Sequence, residues 1–95
     1  MPDKIRIFVH ACIDSVEQLE VLALLHDQPT KEWSAESLSQ ELRSTPSSVE
    51  KRLRDLVSRR VLEAPSTETF RYQPVSPEVR QVVADLVAYY RLRPF

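Results

Sequence analysis

Between Thr45 and Arg60 the chain gathers Ser47, Ser48, Lys51, Arg52, Arg54, Ser58 and Arg59, all hydrogen-bond donors and four of them cations. Val49, Leu53, Leu56 and Val57 recur among them at the spacing of one helical stripe. At 100° per residue, Ser47, Lys51, Arg54, Asp55 and Ser58 fall opposite that stripe, with Arg52 and Arg59 flanking them. Hydroxyl, ammonium and guanidinium donors on one helix face suit phosphate oxygens and the acceptor edges of bases. The spacing therefore predicts a helix presented to the groove of double-stranded DNA. Lys51 and Arg54 are its expected base readers, Ser47 and Ser48 its contacts near the helix start, and Arg43, Arg59 and Arg60 its backbone contacts. A solvated helix would instead pair Arg54 with Glu50 and Lys51 with Asp55 at i, i+4. Such pairs are worth about 0.2 to 0.5 kcal/mol each, so stability alone gives little reason for them.

Other chemistry finds less support. His10 and Cys12 form a His-x-Cys pair, but two ligands do not make a zinc site, and on a helix they point about 200° apart. Cys12 reads as a small buried apolar residue, and His26 as a helix C-terminal group meeting free carbonyls. Ser47, Ser48 and Ser58 have no base at a spacing that would activate them. No P-loop, Gly-rich nucleotide fingerprint or HExxH motif occurs, and the chain has no glycine at all. The expectation is a binding protein: no enzyme, no cofactor, no metal.

The formal net charge of −1 hides an uneven distribution. Residues 14–42 carry seven acids against Lys31, whereas residues 43–60 carry six bases against Glu50 and Asp55. A polyanion responds to the local field more than to the total. Ninety-five residues, 42% hydrophobic and 28% charged, allow one modest core in one soluble domain. The lone Cys12 gives no internal disulfide, and no apolar run approaches a membrane span. The N-terminus is too short and polar for a signal peptide, so a cytoplasmic location is expected.

The elements that must position the donors follow from periodicity. Ile5, Phe8, Val9 and Cys12 predict a short N-terminal helix within residues 1–13. Ser15 and Gln18 fit a capping box opening an apolar helix to about His26, with Val16, Leu19, Leu22, Ala23 and Leu25 inward. Pro29 ends it, and Lys31-Glu32-Trp33 reads as a lone extended segment. Ser34 caps a helix to about Arg43, stapled by Trp33 and Leu38. Only Ser44 separates it from Thr45-Pro46, a cap and first-turn proline that open the donor-bearing helix. Two helices so closely joined must turn sharply. Val61–Ala64 and Phe70–Gln73 then read as a hairpin, with Leu62 and Ala64 facing Phe70 and Tyr72. Ser76-Pro77 opens a last helix, residues 76–92, striped by Val79, Val82, Val83, Leu86, Val87 and Tyr90. The fold class is mainly α with a small β-hairpin.

With SAESLSQEL (Ser34–Leu42), the tight turn into TPSSVEKRLRDLVSRR and the VLE…FRYQP hairpin, residues 15–74 resemble a winged helix-turn-helix of the bacterial MarR/ArsR type, here with an extra N-terminal and C-terminal helix. The resemblance implies a transcriptional regulator whose third core helix enters the DNA major groove while the wing approaches the backbone. It also implies outer helices that form a homodimer. The wing departs from the family pattern: its tip is Ser66-Thr67-Glu68-Thr69, with no glycine and an acid where a phosphate would lie. Arg71 is the one base on the hairpin and joins the expected DNA contacts.

Ile5, Ile7 and Phe8 at one end, and Tyr89, Tyr90, Leu92 and Phe95 at the other, exceed what a minimal core needs. They would cover each other within one chain or dock onto a second copy. The acidic first half and acidic wing tip also suit a winged-helix protein-interaction module that does not bind DNA. A small-molecule sensor with a pocket between the outer helices is the most distant reading, since no convergent polar group marks one.

Overall fold

The computed structural model describes residues 3–13 and 15–92, without the side chains of Ala11 and Cys12. Helices α1 (Asp3–Cys12), α2 (Val16–Asp27), α3 (Ala35–Leu42) and α4 (Pro46–Ser58) precede strands β1 (Leu62–Glu63) and β2 (Arg71–Tyr72), and α5 (Pro77–Leu92) closes the order. Each internal helix starts where a hydroxyl can satisfy an otherwise orphaned backbone N–H. Ser15 accepts from Gln18 N, Ser34 from Ser37 N, Thr45 from Ser48 N and Ser76 from Val79 N. Ser34 and Ser37 complete a reciprocal capping box. Gln18, the expected partner of Ser15 in a capping box, also reaches across: its buried amide nitrogen donates to Asp55 of α4.

The helix ends are more unusual. Arg43 and Arg60 take left-handed backbone angles, φ 55° and 64°, at the position after a helix that glycine commonly fills. Ser44 N donates to Ser39 O, and Val61 N donates to Leu56 O while Arg60 N donates to Val57 O. These are the wrapped-back bonds that stop a helix abruptly. They set the sharp α3–α4 turn and aim the chain from α4 into β1.

One hydrophobic cluster joins all the elements. Leu19, Val21, Leu22 and Leu25 from α2 meet Leu38 of α3, Val49, Leu53 and Leu56 of α4, and Val83, Leu86 and Val87 of α5. The expected apolar faces therefore hold, with Val21 widening that of α2, except that Val16 is exposed. Trp33 and Leu38, the expected staple, are both buried. β1 and β2 pair antiparallel, Leu62 opposite Tyr72 and Glu63 opposite Arg71. The segment at Trp33 is not alone, as its sequence suggested. Its backbone exchanges two hydrogen bonds with Phe70, at 2.8 and 2.7 Å, which adds a third short extended segment to the hairpin and anchors the wing to the start of α3. No helix among the described residues is long and apolar enough to cross a membrane.

Candidate nucleic-acid interface

α4 has three faces, and they differ in what they touch. Val49, Leu53 and Leu56 are fully buried against α2 and α3. A second edge, carrying Ser48, Arg52, Asp55 and Arg59, is bonded to α2 and to itself. The Ser48 hydroxyl donates to Glu17 Oε1 at 2.6 Å and Arg52 Nε donates to the same oxygen at 3.1 Å. Ser44, in the α3–α4 turn, donates to the other Glu17 oxygen. Asp55 accepts from Gln18 Nε2 at 2.8 Å and from Arg59 Nε at 3.3 Å. The Ser44 hydroxyl first, then Ser48 and Arg52, hold the Glu17 carboxyl below the usual glutamate range, against the opposing effect of burial.

The third face is open. Ser47, Glu50, Lys51, Arg54 and Ser58 are all exposed along it. Ser58 turns its hydroxyl back onto Asp55 O at 2.7 Å. Arg54 is half exposed and held from three sides: it pairs with Glu50 at 3.5 Å, donates to Thr67 O of the wing loop at 3.0 Å, and lies 5.4 Å over the Phe70 ring. The Arg54–Glu50 half of the solvated-helix reading is thus present. Its other half is not, because Asp55 turns to Gln18 and Arg59 and leaves Lys51 exposed without an ion pair among the described residues.

The wing loop supplies its own closure in place of glycine. Ser66 and Thr69 share a hydroxyl hydrogen bond at 2.7 Å, and Glu68 N donates to Ser66 at 3.3 Å. Arg71 is bonded to Glu63 across the hairpin at 2.5 Å. Where the loop approaches the starts of α3 and α4, a shallow groove of about 300 Å³ is lined by Ser34, Ser47, Glu36, Glu50 and Glu68. The open face therefore grades from acidic at the beginning of α4 to cationic around Lys51 and Arg54.

Of the residues singled out in the sequence, Ser47, Lys51, Arg54 and Ser58 lie together on the open face, whereas Ser48, Arg52 and Arg59 lie on the α2 edge and Arg71 lies on the hairpin. Glu17, Gln18 and Asp55 were not legible as partners. The bonds of Glu17 to Ser44, Ser48 and Arg52 and of Gln18 to Asp55 span 27 to 37 residues, and no local spacing encodes such a contact. His10 is exposed on α1; the Cys12 side chain and Phe95 lie outside the described residues. His26 caps nothing through its Nδ1, which sits 3.5 Å from Asp27 while the ring stands edge-on to Tyr72. Away from α4, whose residues do not line it, Ile7, Phe8, Pro77 and Val82 line an apolar groove of about 620 Å³ between α1 and α5, with Lys4 and Glu78 beside them.

No family model matches the sequence, and no curated protein matches it. Among solved structures, HlyU from Vibrio cholerae N16961 superposes with a TM-score of 0.64 at 21% identity, over 94% of this chain and 91% of that one. The reduced form of the same protein gives 0.64 at 22% identity, over 97% and 90%. At such identity the likeness bears on fold alone, and together with the element order it makes this chain a winged helix-turn-helix.

Proposed function

We propose that this chain is a DNA-binding transcriptional regulator that places the open face of α4 in a major groove. The observation that carries the reading is the exposure of Ser47, Lys51 and Arg54 on the second helix of a helix-turn-helix, opposite a fully buried stripe. Lys51 and Arg54 are the base-edge donors in this reading, and Ser47 near the helix start binds a phosphate or base. Arg43 and Arg60, exposed at the ends of the unit, contact the backbone. Arg59 and Arg71 contribute less, since they lie on the α2 edge and on the hairpin and not on the open face.

A second copy of the chain is the proposed occupant of the α1–α5 groove. Ile7 is 67% exposed there, and the groove also offers Lys4 and Glu78, opposite charges that a two-fold axis would set against each other. Two α4 helices in one dimer would then read two half-sites. A protein-interaction module is the second reading, favoured by the carboxylates of Glu36, Glu50 and Glu68 around the start of α4. Retention on a mixed-sequence DNA duplex and on heparin at low salt separates the two, with mass measured by light scattering alongside. Salt-dependent retention of a dimer is expected. Passage through both columns without delay would overturn the DNA reading.

A further inference from the structure

Glu17 is the one carboxylate among the described residues shown accepting from two hydroxyls and a guanidinium together. Its donors come from the α3–α4 turn and from two successive turns of α4. Ser44, Ser48 and Arg52 are 27, 31 and 35 residues away in the chain, so only the folded state assembles them. The side chains of Glu17 and Arg52 are 24% and 25% exposed, so both ends of the pair are partly shielded. Hydroxyl and guanidinium donors near a helix start are what a nucleic-acid phosphate would use. Here an internal anion already holds them.

We infer that Glu17 is a built-in counter-anion for α4, a positioning residue that keeps Arg52 and Ser48 out of the set of groups available to a polyanion. The inference rests on the DNA-binding reading of α4. Its physical basis is competition. Each phosphate neutralised by a protein cation releases counterions and adds about 0.9 to the slope of log affinity against log salt. A guanidinium already neutralised by Glu17 releases none. Arg52 lies beside Lys51 in sequence, on the edge next to the open face, and its fork-shaped head is suited to phosphate once it is free. Glu17 thereby limits how many cations α4 contributes, weakening sequence-independent attraction while leaving Lys51 and Arg54 in place.

The test is a salt titration of duplex binding for the wild type, Glu17→Gln, Arg52→Ala and the double variant, with thermal melts to confirm folding. Glu17→Gln keeps the size of the side chain and removes its charge. It should steepen the salt slope by about 0.9 and tighten binding up to about eightfold at 0.1 M salt. Arg52→Ala in the presence of Glu17 should leave the slope unchanged, and this arm stands even where Glu17→Gln folds poorly. In the Glu17→Gln background the same change should return the slope to the wild-type value. A bolt between α2 and α4 with no electrostatic role would instead lower the melting temperature of Glu17→Gln and leave its slope alone. That result, or a slope reduced by Arg52→Ala alone, overturns the inference and spares the DNA reading. Absence of binding by the wild type and Glu17→Gln alike overturns both. Binding by Glu17→Gln alone supports the inference, with Glu17 then masking the interface outright.

Discussion

Lys51 and Arg54 share the open face of α4, but the structure gives them different duties, and substituting them separately should reveal it. Lys51 is exposed and has no ion pair among the described residues, so Lys51→Ala removes a charge and no internal contact. Its melting temperature should stay within about 2 to 4 °C of the wild type, because exposed substitutions of this kind usually fall within about 0.5 kcal/mol. Loss of one phosphate contact should lower the salt slope by about 0.9 and weaken binding about eightfold at 0.1 M salt. A base contact would cost a further 1 to 3 kcal/mol or so, on cognate sites only. Arg54→Ala also gives up the bond to Thr67 O, the Glu50 pair and the Phe70 ring contact. Half-exposed as it is, that set is worth on the order of 1 kcal/mol, a fall of roughly 4 to 8 °C in a domain of this size. Fluorescence anisotropy over a salt series, with calorimetric melts, reads both quantities. Lys51→Ala binding DNA like the wild type, with the same slope, would refute the placement of α4 in the groove. Arg54→Ala melting like the wild type would refute its role as a brace for the wing.

Two further outcomes follow from the same geometry. Arg60→Gly relieves a left-handed backbone angle that costs an L-residue about 1 to 2 kcal/mol, partly offset by the greater freedom of glycine in the unfolded chain. A melting temperature higher by a few degrees, with a shallower DNA salt slope, is expected; a lower melting temperature would mean that the Arg60 side chain stabilises the fold. Acid should destabilise the protein through Glu17 first. The partners of Glu17 hold its carboxyl low, as Arg91 foremost does for Asp27. The stability these groups contribute is complete above the ordinary carboxylate range, near pH 4, and is lost as pH falls through their lowered folded values. Asp27 is 36% exposed and screened, so it contributes less. Glu17→Gln should therefore flatten the acid limb of melting temperature against pH, and an unchanged limb would contradict the assignment.

The helices were legible because their stripes and caps are local. Thr45-Pro46 marks the start of α4, Ser76-Pro77 that of α5, and Val49, Leu53 and Leu56 recur at a period that only a helix buries. The pairing of Trp33 with Phe70 was not, since a single bridge across 37 residues leaves no periodic trace. The open face was read in outline from 100° spacing, but that spacing treats every polar residue off the apolar stripe as solvent-facing. Ser48 and Arg52 are polar for another reason: α2 presents a carboxylate to them. Gln18 shows the same limit, because its position three residues after Ser15 fits a capping box as well as it fits a buried amide bonded to Asp55.

The acidic first half of the chain thus acts on the cationic helix at particular atoms, and this bears on how the modest net charge should be weighed. Three of the four basic residues within α4 and its C-cap have carboxylate partners: Arg52 with Glu17, Arg54 with Glu50 and Arg59 with Asp55. Only the first of these carboxylates belongs to another helix, and it takes the turn serine as well. An i, i+4 partner moves with the helix and stays beside any bound phosphate, whereas Glu17 stays with α2. Local pairs therefore reduce the attraction of α4 for any polyanion by a fixed amount. The Glu17 pair instead makes that attraction depend on the contact between two helices, and whatever shifts α2 against α4 changes the number of cations the groove-facing helix can offer.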